Sequence, residues 1–533
     1  MSRLLLEDLG PDLAMMARLV QSQLVGAMTA FFQKDVAAAE KVLARDDQVD
    51  NRLGFIEETC FQRIAGEPAD SPRSRRLRGV FRVALNLEKL GDYAVNIAEQ
   101  AMHLSRLAPE PTPFDLGNPT RTALAALDEV ITSFTDGDAE KAKHACRCET
   151  ELDRQYRDAL TETFRRLRRP GQDPAFLITH LFAAKFLERI GDSILNIGET
   201  TLFILTGERL KLHQYLHLEQ MVTAVAPERG DAPLDFRQIW GGISGARVGR
   251  LLVGAGDPLL WKEGAEGKID EEVRAMREWN RVVPGLVPDV KASYQEGGRE
   301  SFLGQYLDGK LLRDVYLTRP WEEKLRATHR LLETVRDVWL TTMRKEQPRV
   351  DYVRQIAERL GDLYAMHPEL EALRGRTTRV FGIEHQSLAE LLERLATIEP
   401  HLAPPVSVRI HGDFNTNNIV WGEERDRVHL IDVHRSGDGD YVQDIGVLLV
   451  SNVRNPIQDA RVVGDLEAIN RRVEQFAGEF ARLTGDEHFD VRLTLARARS
   501  LITSGRLITD LAFARSLYLE GVRQLERAAG MAA

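Results

Sequence analysis

Apolar residues recur every three or four positions from residue 12 to about 220, as in Leu77, Val80, Ala84, Leu87 and Leu90. That period fits helices with one buried face, and two-residue alternation is scarce in this stretch. Proline gathers in breaks, at Pro68 and Pro72, between Pro109 and Pro119, and at Pro170 and Pro174. Long antiparallel helices with short connections are predicted. Residues 224–233 are small, polar and bounded by Pro227 and Pro233, which marks a linker. Beyond it the texture changes. Strand-like runs fall at 236–240, 248–253, 258–261, 292–295 and 301–306, with a helix signal over 270–279 between them. Helices are predicted from 311 to about 395, then strands at 406–411 and 428–433, then helices to the end.

The helical half repeats itself. Leu87-Glu88-Lys89-Leu90-Gly91-Asp92 returns 100 residues later as Leu187-Glu188-Arg189-Ile190-Gly191-Asp192. Upstream, Asp46 and Asp50 have counterparts in Glu149 and Asp153. Two three-helix units in tandem give the simplest account. Acids four apart lie about 40° apart on a helix, so each pair shares a face. Stacking like charges this way is unfavourable unless cations compensate. Lys89 and Arg189 point elsewhere on the helix. A metal ion held by carboxylates is one resolution, and a solvated acidic face or pairing with arginines is the other.

Length brings in domain count. A chain of 533 residues is too long for one ordinary core. With 43% hydrophobic and 29% charged residues it reads as globular rather than disordered. A formal net charge of −10 argues against a dedicated nucleic-acid binder. Three cysteines, Cys60, Cys146 and Cys148, do not make a disulfide framework, and the Cys146–Cys148 spacing suits neither a zinc knuckle nor a redox motif. The N-terminus, with Glu7 and Asp8, does not read as a signal peptide, and no run of 18 apolar residues predicts a membrane span. A cytoplasmic protein is expected.

Chemistry concentrates in Val408-Arg409-Ile410-His411-Gly412-Asp413-Phe414-Asn415-Thr416-Asn417-Asn418 and in Leu430-Ile431-Asp432. A strand delivers Asp413 to a loop, Asn418 returns five residues later, and a second strand ends on Asp432. Phosphoryl transfer needs such parts: a carboxylate for the acceptor proton, and oxygen ligands for the metal that neutralises phosphate charge. Between strand-like runs, Gly242, Ser244 and Gly245 would let backbone amides approach phosphates. Lys262 lies on the next strand, Glu272 or Glu271 on the next helix, and Gln305 and Leu307 flank the expected hinge.

The His411-to-Asn418 stretch, followed by Leu430-Ile431-Asp432 and Asp444-Ile445-Gly446, resembles the aminoglycoside phosphotransferase and choline kinase-like family. The acid-rich repeat, over about residues 10–220, resembles the PhoU family of phosphate-uptake regulators. The first resemblance implies a bilobal protein-kinase-like α+β domain, Asp413 as catalytic base, Asn418 and Asp432 as Mg²⁺ ligands, Asp444 as a brace for the loop, and ATP as cofactor. It places Lys262, held by Glu272, on the α- and β-phosphates. The second implies an all-α bundle with Fe, Zn or Mn at Asp46, Asp50, Glu88, Asp92, Glu149, Asp153, Glu188 and Asp192, and a phosphate transporter or sensor kinase as partner, with a homodimer as an open alternative. The expected organisation is a bundle over 1–221, a linker over 222–234 and a kinase domain over 235–533, its N-lobe about 235–307 and its C-lobe about 308–533. The expected function is ATP-dependent phosphorylation of a small-molecule hydroxyl under a phosphate- or metal-linked domain. The alternative is a regulatory adaptor whose kinase-like domain only binds nucleotide. Helices about 311–395 and 459–529, expected to build the acceptor pocket, spell neither an acidic cradle for an aminoglycoside nor an aromatic box for choline.

Overall fold

A computed structural model describes residues 9–68, 71–207, 210–227, 235–239, 246–253, 256–296, 298–380, 383–454, 457 and 459–532. The chain forms two compact units, residues 1–240 with 249–256, and residues 241–248 with 257–533.

The first unit is helical. Its first repeat comprises α1 (Gly10–Gln33), α2 (Val36–Leu43), α3 (Asp46–Ile64) and α4 (Pro72–Leu104). The second comprises α5 (Gly117–Asp136), α6 (Ala139–Cys146), α7 (Cys148–Leu167) and α8 (Pro174–Thr206), and α9 (Leu212–Val225) follows. Each repeat is the predicted three-helix unit with its middle helix interrupted, at Ala44-Arg45 and at Arg147. The two long helices start alike. Ser71 accepts the Ser74 N–H before Pro72, and Asp173 accepts the Ala175 N–H before Pro174. The core is formed by α1, α4, α5 and α8, with Leu13, Val20, Leu87, Ile97, Val130 and Ile190 fully buried. Helix α9 runs four residues into the segment read as linker, because Val222 still buries its side chain; Pro227 lies just beyond the helix end. Cys60, Cys146 and Cys148 are buried and form no disulfide. Among the described residues, no helix is long and apolar enough to cross a membrane.

The strands start with β1 (Asp235–Ile239), β2 (Arg247–Leu252) and β3 (Leu259–Ala265). Helix α10 (Lys268–Val282) leads to β4 (Val290–Glu296) and β5 (Arg299–Gln305), and β3, β5 and β4 are antiparallel neighbours in that order. Helix α10 packs on this sheet through Ile269, Val273 and Met276. Next come β6 (Lys310–Leu311), α11 (Leu312–Thr318), α12 (Trp321–Thr342), α13 (Tyr352–Met366), α14 (Pro368–Glu371), β7 (Thr378–Val380), β8 (Ile383–His385) and α15 (Leu388–Ile398). The β7–β8 hairpin, inside a stretch read as all helix, is two three-residue strands, too short for alternation to register.

Four short strands then frame the motif: β9 (Val408–Ile410), β10 (Ile419–Gly422), β11 (Arg427–Leu430) and β12 (Gly437–Gly439). Ile419 pairs with Leu430 and Ile410 with Gly437, so the loops 411–418 and 431–436 leave the strands side by side. Strand β10 was not anticipated, and β11 stops at Leu430, short of the predicted end at 433. The unit closes with α16 (Tyr441–Val453), α17 (Ala460–Thr484), α18 (Phe489–Ser504) and α19 (Leu511–Met531). Behind the loops Arg492, fully buried, contacts Asp440 (2.9 Å) and Asp486 (2.6 Å), and Tyr352 donates to Asp440. This charge network anchors the start of α16.

Candidate active site

The loop after β9 is built on buried hydrogen bonds. Asp444, on the first turn of α16, accepts the backbone N–H groups of His411 (2.6 Å) and Gly412 (2.9 Å). His411 donates from Nε2 to the Ile431 carbonyl (2.9 Å) and accepts the Asp413 N–H on Nδ1 (3.3 Å). Burial lowers its pKa, so the ring is a neutral strut tying the two loops together. Asp413 Oδ1 accepts from Asn415 Nδ2 (3.1 Å), and its Oδ2 lies 3.2 Å from Arg435 Nη1. Asn418 donates from Nδ2 to the Asp413 carbonyl (2.9 Å).

Asp432 follows β11 with φ +61°, the left-handed region that an L-residue occupies at some strain. Its Oδ1 receives Lys262 Nζ at 2.9 Å and lies 3.4 Å from His434 Nδ1. Burial opposes its charge, but His434 and Lys262 prevail and hold the carboxyl well below the usual range. Lys262 Nζ also meets Glu272 Oε2 at 2.6 Å. Burial alone would lower the Lys262 pKa, but Glu272 and Asp432 raise it, so the amine stays protonated. Glu272 rather than Glu271 makes this contact, because it lies on the buried face of α10 while Glu271 faces solvent. Gln305 ends β5, its N–H on the Asp289 carbonyl, and Leu307 is half-buried just beyond. Gly242, Ser244 and Gly245 lie outside the described residues.

The oxygen donors of Asn418 and Asp432 suit a hard cation, and a protonated amine already sits against one Asp432 oxygen. The structure thus brings Asp413, Asn418, Asp432, Lys262 and Glu272 into one linked set.

In the helical unit the two acidic sets differ. Asp46, Asp50, Glu88 and Asp92 act on one another, and burial followed by this repulsion raises the pKa of Glu88 and Asp92. None of the four has an ion pair among the described residues. In the second repeat Glu188 pairs with Lys185 (2.6 Å), Asp153 with Arg157 (2.7 Å) and Asp192 with Arg189 (3.6 Å), so Arg189 does reach the acidic face that helical spacing placed it away from. Glu199 caps α9 through the Leu212 N–H. As placed, no three His, Cys, Asp or Glu side chains among the described residues converge on one ion position.

Residues 13–101 and 120–201 match the family model of the PhoU domain, and residues 235–483 match that of the phosphotransferase enzyme family. The chain is a PhoU domain fused to a phosphotransferase-family domain. A phosphate-specific transport system accessory protein PhoU homologue of Clostridium acetobutylicum is 25% identical over 209 residues, 39% of this chain and 95% of that protein. The homologue of Caulobacter vibrioides is 29% identical over 209 residues, 38% of this chain and 90% of its own. A solved structure of a thermostable mutant of aminoglycoside phosphotransferase APH(4)-Ia covers 59% of this chain and 99% of that chain, with 13% identity and a TM-score of 0.40. The expected fold class holds: a helical PhoU domain, then a kinase-like phosphotransferase domain.

Within the phosphotransferase domain, sequence reading missed three contacts. The His411 strut had a signal, since the motif places a histidine beside Gly412. Arg435 on Asp413 and Lys262 on Asp432 join segments 22 and 170 residues apart, and no local pattern announces them.

Proposed function

We propose that the phosphotransferase domain transfers the γ-phosphoryl group of ATP to a hydroxyl of a small-molecule acceptor, and that the PhoU domain ties this activity to phosphate status. The observation that carries the reading is Asp413: a half-buried carboxylate fixed by Asn415 and Arg435, in a loop shared with Asn418 and beside Asp432. The acceptor oxygen forms a bond to the γ-phosphorus. The bond from that phosphorus to the bridging oxygen breaks, with its electron pair leaving on ADP, and the acceptor proton passes to Asp413. Asn418 and Asp432 would hold Mg²⁺, which when bound neutralises phosphate charge. Lys262, steadied by Glu272, would meet the α- and β-phosphates, and the backbone at Gln305 and Leu307 would meet adenine; Gly242, Ser244 and Gly245 are the residues whose amides the sequence reading gives to the phosphates. The domain limits are those of the sequence reading, with the bundle carried on from 221 to the end of α9 at Val225. A phosphate transporter or sensor kinase is the partner such a PhoU domain would meet.

Asp413→Asn is expected to lower ADP release in the presence of acceptor about 10²–10⁴-fold while nucleotide still binds. Asp432→Asn is expected to lose Mg²⁺-dependent nucleotide binding. Turnover unchanged in Asp413→Asn would remove the assignment of the base. Regulation fully retained in that variant would favour the adaptor reading.

A further inference from the structure

The loop carrying Asp413 is ringed by arginines drawn from separate segments. Arg435 contacts Asp413 itself, 3.2 Å from Oδ2. Arg359 on α13 and Arg499 on α18 donate to the same oxygen, Gln355 Oε1, at 3.4 and 2.8 Å. Two guanidiniums on one amide oxygen are therefore neighbours. Arg506 sits in the turn that closes α18, its Nη1 on the Thr503 carbonyl, and this turn packs against α13. Arg454 caps the C-terminus of α16.

These charges act on one another and on Asp413. Burial, then Arg506 and Arg435, lower the pKa of Arg359; burial, then Arg435, lower that of Arg506. Burial and the neighbouring Arg359 push Arg499 down to about 10. Among the described residues, Arg359, Arg454, Arg499 and Arg506 have no carboxylate within ion-pair distance. The nearby acids are spent. Asp444 serves two backbone amides, Glu358 and Asp351 pair with Arg354, and Asp413 is shared with Arg435. Asp362 and Asp413 offset Arg506, and Asp413 and Glu358 offset Arg359, none of them within ion-pair distance.

Such a surplus of forked donors beside the base repels a cationic acceptor and suits a phosphate ester, whose oxygens match guanidinium geometry. Resting on the phosphotransferase reading, we propose that the acceptor is a hydroxyl compound that already carries a phosphate monoester, held by Arg359, Arg435 and Arg506 while its free hydroxyl faces Asp413. Arg499, almost fully buried, is a positioning residue that fixes Arg359 through Gln355. The products are ADP and a bisphosphate, with the hydroxyl proton on Asp413.

The test uses the full chain with Mg²⁺-ATP and matched pairs of acceptors: glycerol and glycerol 3-phosphate, glucose and glucose 6-phosphate, inositol and inositol monophosphate, with kanamycin and choline as cationic controls. ADP release and, separately, thermal shift with a non-hydrolysable ATP analogue are read. At least one phosphate ester is expected to exceed its neutral parent tenfold or more in kcat/KM, and to raise the melting temperature where the parent does not. Arg359→Gln/Arg506→Gln is expected to erase most of that preference through the acceptor KM, while the KM for ATP stays within twofold. A neutral or cationic compound used equally well overturns the proposal, as does a preference that survives in the double variant. Inorganic phosphate that matches every ester in thermal shift, with no ester phosphorylated, overturns it in favour of a free-phosphate site. If no ester binds or reacts, the proposal falls, whereas the phosphotransferase reading falls only if Asp413→Asn leaves ADP release intact.

Discussion

At Gly412 the backbone turns with φ +81°, and a Cβ there would collide with the Arg435 carbonyl oxygen, so only glycine lets the two loops approach. The His-Gly-Asp spelling showed this glycine without its partner, which lies 23 residues further on. Glu272 could have been chosen over Glu271 from sequence alone, since Ile269, Val273 and Met276 define the buried face of α10 and Glu272 falls on it. The Asp432 backbone turn had no such signal, because the run 428–433 reads as continuous strand. Titration gives a test at this scale. Burial lifts the Glu399 carboxyl to about 7, despite the backbone N–H of Val353 that it accepts. The folded protein then keeps a proton that the unfolded chain releases above about pH 4.5. That stabilisation is full below pH 4.5 and is lost as pH rises through 7. Glu399→Gln cannot ionise, so denaturant titrations should show it gaining on the wild type across this window, by up to about 3 kcal/mol above pH 7. A constant difference from pH 4.5 to 8 would contradict the assignment.

Between elements, the two PhoU repeats share a spelling and differ in their cations. The acids of the first repeat stand at the start of α3 and midway along α4, with no ion pair of their own among the described residues. Three of the second, Glu188, Asp192 and Asp153, are engaged by Lys185, Arg189 and Arg157, while Glu149 has no ion pair among the described residues. Helical spacing made the shared acidic faces legible, but the direction each basic side chain takes is set by packing, which the repeat pattern does not encode. If the bundle takes up Fe, Zn or Mn, the first repeat is the expected place. Elemental analysis should then show metal lost in Asp46→Asn/Glu88→Gln and kept in Glu149→Gln/Glu188→Gln. Equal metal content in both variants would remove this distinction.

Among the described residues, the two main hydrophobic cores have no residue in common, one drawn from residues 9–197 and the other from residues 269–529, with a small third cluster of Val450, Leu501 and Leu517. Separate cores predict separate cooperative units. Calorimetry is expected to resolve two transitions, of which a non-hydrolysable ATP analogue with Mg²⁺ raises only one. A single transition shifted as a whole would show that the units unfold together. The division itself was plain in the sequence, where helical period gives way to short alternating runs after residue 233. The arginines around Asp413 were not, since they come from α13, the loop before β12, the end of α16, the C-terminal half of α18 and the turn after it, and meet only once the helices pack.

Lys262 spans Glu272 and Asp432, and so it covers one oxygen of the carboxylate proposed to hold the metal. On the proposed reading this ammonium would compete with Mg²⁺ for Asp432 Oδ1. Mg²⁺ alone would find that oxygen taken, and ATP alone would draw the lysine to its phosphates and leave the carboxylate repelling them. Metal and nucleotide together would satisfy both ends, with the lysine on the phosphates and the cation at Asp432. The same salt bridge would then make the two ligands each other's condition for tight binding, a logical AND written in one side chain.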